Sequence, residues 1–235
     1  MNTPRNLLPD WGKSKENQWI QTHTGIRFFL LSPLPGDFAI EDIAHALANQ
    51  CRFAGHTKKF YSVAEHSVRV ARYVESKWRG HAYSALMHDA SDAYMLDMPR
   101  PFKYLPEFEV YKDIEHKVMA QMAAVLGFRY PKPELVHKAD NVLLATEARD
   151  LFDAVIDDWH LKYGEMLPFK IRPWSPRKAK REFLKTFYRL NPLGIKPTRR
   201  IGTPWIIKAF VDAAKFALAM VHASNAPDPF PDFPL

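Results

Sequence analysis

Residues 62–78 read SVAEHSVRVARYVESKW, and residues 81–97 read HAYSALMHDASDAYMLD. Ser62 with Glu65 three positions on is a capping-box signature, so the spacing predicts a helix from there to about Trp78. In that helix His66 lies one turn before Val70, itself one turn before Val74. The second stretch predicts a helix over about 81–95 that stops before Pro99, because a residue preceding proline avoids helical backbone. Its apolar stripe is Ala82, Ala85, Leu86 and Ala93. Asp89 falls on that stripe and His88 beside it.

The helical pattern extends in both directions. Ile40, Ile43, Ala44, Leu47, Ala48 and Cys51 predict a helix near 38–51, with Cys51 read as core packing. Tyr111, Ile114, Val118, Met122 and Val125 predict one over 108–126, closed by Gly127. Val136, Leu143, Leu144 and Leu151 predict one over 133–157, and Ser175-Pro176 opens another with Ala179, Phe183, Phe187 and Leu190 inward. Residues 18–31 read as a short hairpin with Gly25 in the turn. The expectation is an all-α fold with a small N-terminal β-hairpin. It divides into an arm (1–17), a main domain (18–192) and a C-terminal helix with a Pro-rich tail (193–235).

The chain has 235 residues, enough for one substantial domain. No apolar run reaches membrane-spanning length and the N-terminus lacks a signal-peptide layout, so a cytoplasmic protein is expected. A single cysteine excludes an internal disulfide and a cysteine-rich zinc site. Any metal must therefore be held by histidine and carboxylate. The net charge of +7 suits an anionic partner without choosing among nucleotide, nucleic acid and membrane surface.

Charged residues on buried stripes carry the functional signal. His66, His88 and Asp89 are joined by Asp140 and Glu147, which fall on the stripe of the 133–157 helix. An unpaired buried carboxylate costs several kcal/mol, so a cationic side chain, a histidine or a metal ion must compensate. Two imidazoles and two carboxylates suit a divalent transition metal such as Mn, Fe, Co, Ni or Zn.

Phe60 to Ser67 (FYSVAEHS), Met87 to Pro101 (MHDASDAYMLDMPRP) and Lys138-Ala139-Asp140 together resemble the HD phosphohydrolase superfamily, whose metal site has the pattern H…HD…D. The likeness covers about residues 20–190 and is nearest to bacterial deoxynucleotide 5′-nucleotidases and phage dATP triphosphohydrolases. It implies an HD-domain helical bundle with His66, His88, Asp89 and Asp140 as metal ligands. It places Asp92 where the nucleotidases carry a glutamate acting on the attacking water; the carboxylate is kept on a shorter arm. Asp97 matches an aspartate tied to catalysis or sugar contact. Arg52-Phe53 stands where those enzymes have an Arg-Trp pair associated with deoxyribose preference. The resemblance gives Glu147 no role; a salt bridge to Arg149 or Arg52 is its plain reading.

Such a metal activates water and polarises a phosphoryl oxygen, with cations nearby for the phosphate. Arg52, His56, Lys58, Lys59 and Lys103 are the candidates, with Phe53 beside the sugar. His56 is also a rival to His66 as ligand, less favoured because it lies in a loop. The expected function is hydrolysis of deoxynucleoside monophosphates, with release of triphosphate from dNTPs as the alternative. A second class of function, nucleic-acid binding or nuclease action, draws on Arg177, Lys178, Lys180, Arg181, Lys185, Arg189 and Arg199-Arg200. The helix expected at 204–223 carries an apolar face (Trp205, Ile206, Phe210, Val211, Ala214, Leu218, Val221) suited to its own domain or to a second copy in a homo-oligomer.

Overall fold

The computed structural model describes residues 18–154 and 165–196. The arm 1–17, Arg199-Arg200, the helix expected over 204–223 and the Pro-rich tail lie outside them. The fold is all-α with a two-stranded antiparallel hairpin, as the periodicity predicts. Strand β1 (Ile20–Gln21) pairs with β2 (Arg27–Phe28), and Gly25 takes the left-handed turn position at φ 92. Helices α1 (Ile40–Asn49), α2 (Val63–Lys77), α3 (Ala82–Leu86), α4 (Asp92–Met95) and α5 (Arg100–Lys103) follow. Then come α6 (Glu109–Leu126), α7 (Glu134–Leu151) and α8 (Pro176–Leu190).

Helix α2 is the hub, packed against α1, α3, α7 and α8. Ser62 caps it by accepting from the Glu65 N–H at 3.2 Å, but the reciprocal half of the box does not form. The buried Glu65 carboxylate instead accepts from Arg69 and, at 2.6 Å, from the Trp174 N–H, which fastens the start of α8 to α2. Val63, Val70 and Val74 share one buried core with Ile43, Leu47, Leu86, Leu143, Phe183 and Phe187. Each such side chain, fully removed from water, stabilises the fold by about 1.5–3 kcal/mol. The hairpin is held by Thr24, whose N–H and hydroxyl donate to the two oxygens of Asp42 at 2.7 and 2.6 Å. Its Phe28 stacks on Tyr94, centroids 3.8 Å apart, and so steadies α4.

Two expectations need correction. The helix predicted over 81–95 is broken: α3 ends at Leu86, Met87–Ser91 form tight turns, and α4 begins at Asp92. The cause is local. The His88 ring donates Nδ1–H to the Ala85 carbonyl at 2.8 Å, which an unbroken helix reserves for the Asp89 N–H. Successive i to i+3 bonds, Met87 to Ala90 and Asp89 to Asp92, carry the chain onward. Cys51 is the other case. Helix α1 stops at Asn49, and Cys51 is half-buried in an isolated bridge with Ser62.

On α6 the expected face is buried at Val118 and Met122, and Gly127 closes the helix at φ 75. The basic helix α8 turns Ala179, Phe183 and Phe187 inward, while Arg189 pairs with Glu75, and Lys178 lies over Trp174. No described helix is long and apolar enough to cross a membrane.

Candidate metal centre

Three elements bring the acidic and imidazole groups together. His66 lies in the first turn of α2, His88 and Asp89 in the turn between α3 and α4, and Asp140 on α7. His66 Nε2 is 3.2 Å from Asp140 Oδ1 and 3.6 Å from Asp89 Oδ2. His88 Nε2 is 3.1 Å from Asp89 Oδ2 and 3.9 Å from Asp140 Oδ1. The ligand atoms of His66, His88 and Asp140 all lie within 4.8 Å of one another.

The spacings within His66, His88 and Asp140 are compatible with donors around one ion, and Asp89 lies beside that group. Ligands at about 2.1 Å from a common centre stand about 3.0 Å apart in an octahedron and about 3.4 Å apart in a tetrahedron. Despite the short distances, both Nε2 atoms are buried without an aligned hydrogen bond. Buried nitrogens rarely stay orphaned, and an ion shared with the neighbouring carboxylates would satisfy both. The tautomers agree. His88 gives Nδ1–H to a carbonyl and His66 gives Nδ1–H to Glu147 Oε1 at 2.6 Å, so each ring has its Nε2 on the side of the cluster, where an ion would take the place of the second proton of His66. The buried His-His-Asp group can hold a metal ion.

Glu147 thus has a place that sequence reading missed. It sits two turns after Asp140 on the same face of α7, fully buried. Besides His66 it accepts from the Tyr61 hydroxyl at 2.8 Å and from Arg52 Nε at 3.2 Å. The plain reading, a bridge to Arg52, is part of this network, whereas Arg149 pairs with Asp150. Tyr61 and Gln50 also escaped notice. Gln50 donates to the Asp92 carbonyl at 2.8 Å and accepts from the Asp97 N–H at 2.9 Å, clamping both ends of α4. These partners are 42 or more residues apart in sequence, and no short motif carries that signal.

The electrostatics show how strongly the cluster wants positive charge. Burial and Arg52 push the His66 imidazolium down, but Glu147 and Asp140 outweigh them and raise its pKa to about 9. Burial opposes ionisation of Asp89 and Asp140, yet the histidines, and for Asp140 also Lys132, hold both carboxyls well below their usual range. Asp92 goes the other way: burial, then the charges of Asp89 and Asp97, keep its carboxyl protonated well above the usual range. A cation delivered to the cluster favours its ionised form.

The group opens into a cleft of about 890 Å³, lined among others by Arg52, Phe53, His56, Asp92, Asp97, Lys103 and Phe152. Arg52 is buried and turned to carboxylates, with Asp89 at 3.6 Å and Asp97 at 3.8 Å as well as Glu147. Phe53 meets Phe152 edge to face at 5.2 Å. Lys103 bonds Glu115 at 2.8 Å. His56 lies exposed on the cleft wall and does not join the ligand group; Lys58 and Lys59 are exposed away from it. Leu96, between Asp92 and Asp97, has φ 87 and ψ 146, a region that suits glycine. Two cations that sequence reading did not select, Arg100 and Lys132, reach Asp140 Oδ2 at 3.1 Å each.

Fold and site together define an all-α protein with a buried His-His-Asp group able to take a metal ion. The chain belongs to the family of YfdR, an uncharacterized protein of Escherichia coli: the two are 38% identical over 183 residues, 74% of this chain and 97% of YfdR. An uncharacterized protein of Rhodobacter capsulatus is 40% identical over 94 residues, 36% of this chain and 46% of that protein. No family model matches.

Proposed function

We propose that the chain is a metal-dependent phosphohydrolase of the HD type that releases phosphate from deoxynucleoside monophosphates. The observation that carries this reading is the pair of buried, orphaned Nε2 atoms of His66 and His88 set 3.1–3.9 Å from oxygens of Asp89 and Asp140. A borderline divalent ion, Mn, Co, Zn, Fe or Ni, suits two imidazoles and two carboxylates. When bound it supplies Lewis acidity toward a phosphoryl oxygen and lowers the pKa of water.

The chain's own groups do the rest. Asp92 accepts the proton of the attacking water, being buried on the cleft wall and released to ionise once positive charge arrives. Asp97, held by Gln50 through its backbone, 3.8 Å from Arg52 and on the cleft lining, is assigned to the sugar of the substrate. Phe53 and Phe152 give an apolar wall for the nucleoside, and the cleft volume falls in the range of small-ligand sites.

The test is a product assay on the purified protein. It is offered dNMPs, NMPs and dNTPs with Mn, Co, Zn and Mg in turn, beside a His88→Ala, Asp89→Ala double variant. Metal-dependent release of inorganic phosphate from dNMPs, absent in the double variant, is expected. Intact triphosphate as product moves the substrate class to dNTPs. Equal turnover in the double variant, or none with any nucleotide, refutes the proposal.

A further inference from the structure

Asp140 divides its two oxygens. Oδ1 faces the imidazoles of His66 and His88, while Oδ2 accepts from Arg100 Nη2 and Lys132 Nζ, each at 3.1 Å. Arg100 is further oriented by Nη1 donating to Asn141 Oδ1 at 3.2 Å. Both cations line the cleft. Their side chains are 33% and 28% exposed, against 8% for Arg52, so they are more open to the cleft than Arg52, which also lines it.

The sequence around them is as informative as the geometry. Arg100 stands between Pro99 and Pro101, and Lys132 between Pro131 and Pro133. Proline fixes φ and removes backbone freedom, so each long cationic side chain rises from a stiffened segment. Holding two mobile cations in one place costs conformational entropy, and a prepaid backbone lowers that cost. An ionised carboxylate oxygen readily accepts two donors, and here both donors also keep part of their surface open to the cleft. Two rigidly mounted cations converging at one oxyanion position are suited to receive another oxyanion beside it.

We infer that Arg100 and Lys132 form the phosphate-receiving pair of the cleft. Resting on the phosphohydrolase reading, this assigns the substrate's anionic end to the Asp140 side of the site. One phosphate oxygen turns toward the His66–His88–Asp140 group. A second accepts from the guanidinium and a third from the ammonium. Charge building on those oxygens in the transition state is met by groups already in place. Arg52, committed to Glu147, Asp89 and Asp97, orders the carboxylates instead.

The probe is inorganic phosphate, titrated into the full-length protein loaded with Mn, with bound metal per chain measured alongside. Arg100→Gln and Lys132→Gln are each expected to weaken phosphate binding about tenfold, and the double variant about a hundredfold. With Mn kept saturating, because Asp140 loses outer partners in these variants, metal content should stay at the wild-type level, and Lys132→Arg should retain most of the affinity. Circular dichroism checks that the variants fold, and the Lys132→Arg comparison stands if a glutamine variant does not. Phosphate affinity within about threefold of wild type in the double variant overturns the inference. So does loss of the metal in step with the phosphate, since the pair would then be positioning Asp140 only, and so does a wild-type protein that binds no phosphate. A protein that binds phosphate through this pair yet hydrolyses no nucleotide keeps the inference and discards the enzymatic reading.

Discussion

Replacing Glu147 by glutamine keeps the shape of the side chain and removes its charge, which makes it the sharpest probe of the site. Oε1 accepts from both His66 Nδ1 and the Tyr61 hydroxyl, and Oε2 accepts from Arg52 Nε. An amide satisfies one side only. With its oxygen toward His66, its NH₂ opposes the Arg52 Nε–H. Flipped, its NH₂ opposes the His66 Nδ1–H and drives that ring to the tautomer whose Nε2 carries the proton. Arg52 keeps Asp89 and Asp97 at 3.6 and 3.8 Å, so the buried guanidinium is not abandoned altogether. Breaking one partner of a buried charged network costs about 3 kcal/mol, which lowers the Tm of a chain this size by about 6–12 °C. Loss of an outer partner to a ligating histidine weakens metal binding by about 10–100-fold. Chelator-competition titration with Zn or Mn reads the affinity and a thermal melt reads the stability. A folded Glu147→Gln protein that binds metal within about twofold of wild type would show that Glu147 does not set the His66 tautomer.

Three further outcomes follow from the same network. His66 in the metal-free protein has its pKa raised to about 9, above the unfolded value of about 6.5. Its stabilising contribution is therefore complete below about pH 6.5 and is lost as pH rises through about 9. The carboxyls of Asp89, Asp140 and Glu147 are depressed, so theirs is present above about pH 4–5 and lost in acid. Melts of metal-free protein should peak near pH 5–6.5, and apparent metal affinity should rise roughly tenfold per pH unit from 7 to 9 as the ion displaces the His66 proton. A flat affinity profile over that range counts against it. Tyr61→Phe removes a donor to Glu147 from a fully buried site and should cost about 1–2 kcal/mol in urea unfolding, with metal still bound. No change in midpoint would show the hydroxyl to be idle.

The helices themselves were legible because their signals are local. Ser62 and Gly127 mark a start and a stop within one turn, and the valines of α2 recur at the period of the helix that buries them. His66, His88, Asp89 and Asp140 stood out for the opposite reason, as charge on stripes that should be apolar. The break after Leu86 was hidden, since it depends on the His88 ring taking a carbonyl from the backbone, and a periodic pattern counts residues without seeing that competition. Glu147 was visible as an anomaly but not as a partner: its contacts to Arg52 and His66 span 95 and 81 residues. Arg100 and Lys132 look like ordinary surface charge until α7 brings Asp140 between them.

Leu96 gives the neighbourhood of Asp92 and Asp97 a different character. A leucine at φ 87 and ψ 146, 62% exposed, gains little burial to offset a conformation that is nearly reserved for glycine. Held there by Gln50 on either side, the segment behaves as a sprung latch, carrying on the order of 1–3 kcal/mol of tension that the fold keeps from relaxing. A sturdier chain with glycine at this position is one step away in sequence space, and its cost would fall on how firmly the two aspartates are aimed rather than on whether the protein folds.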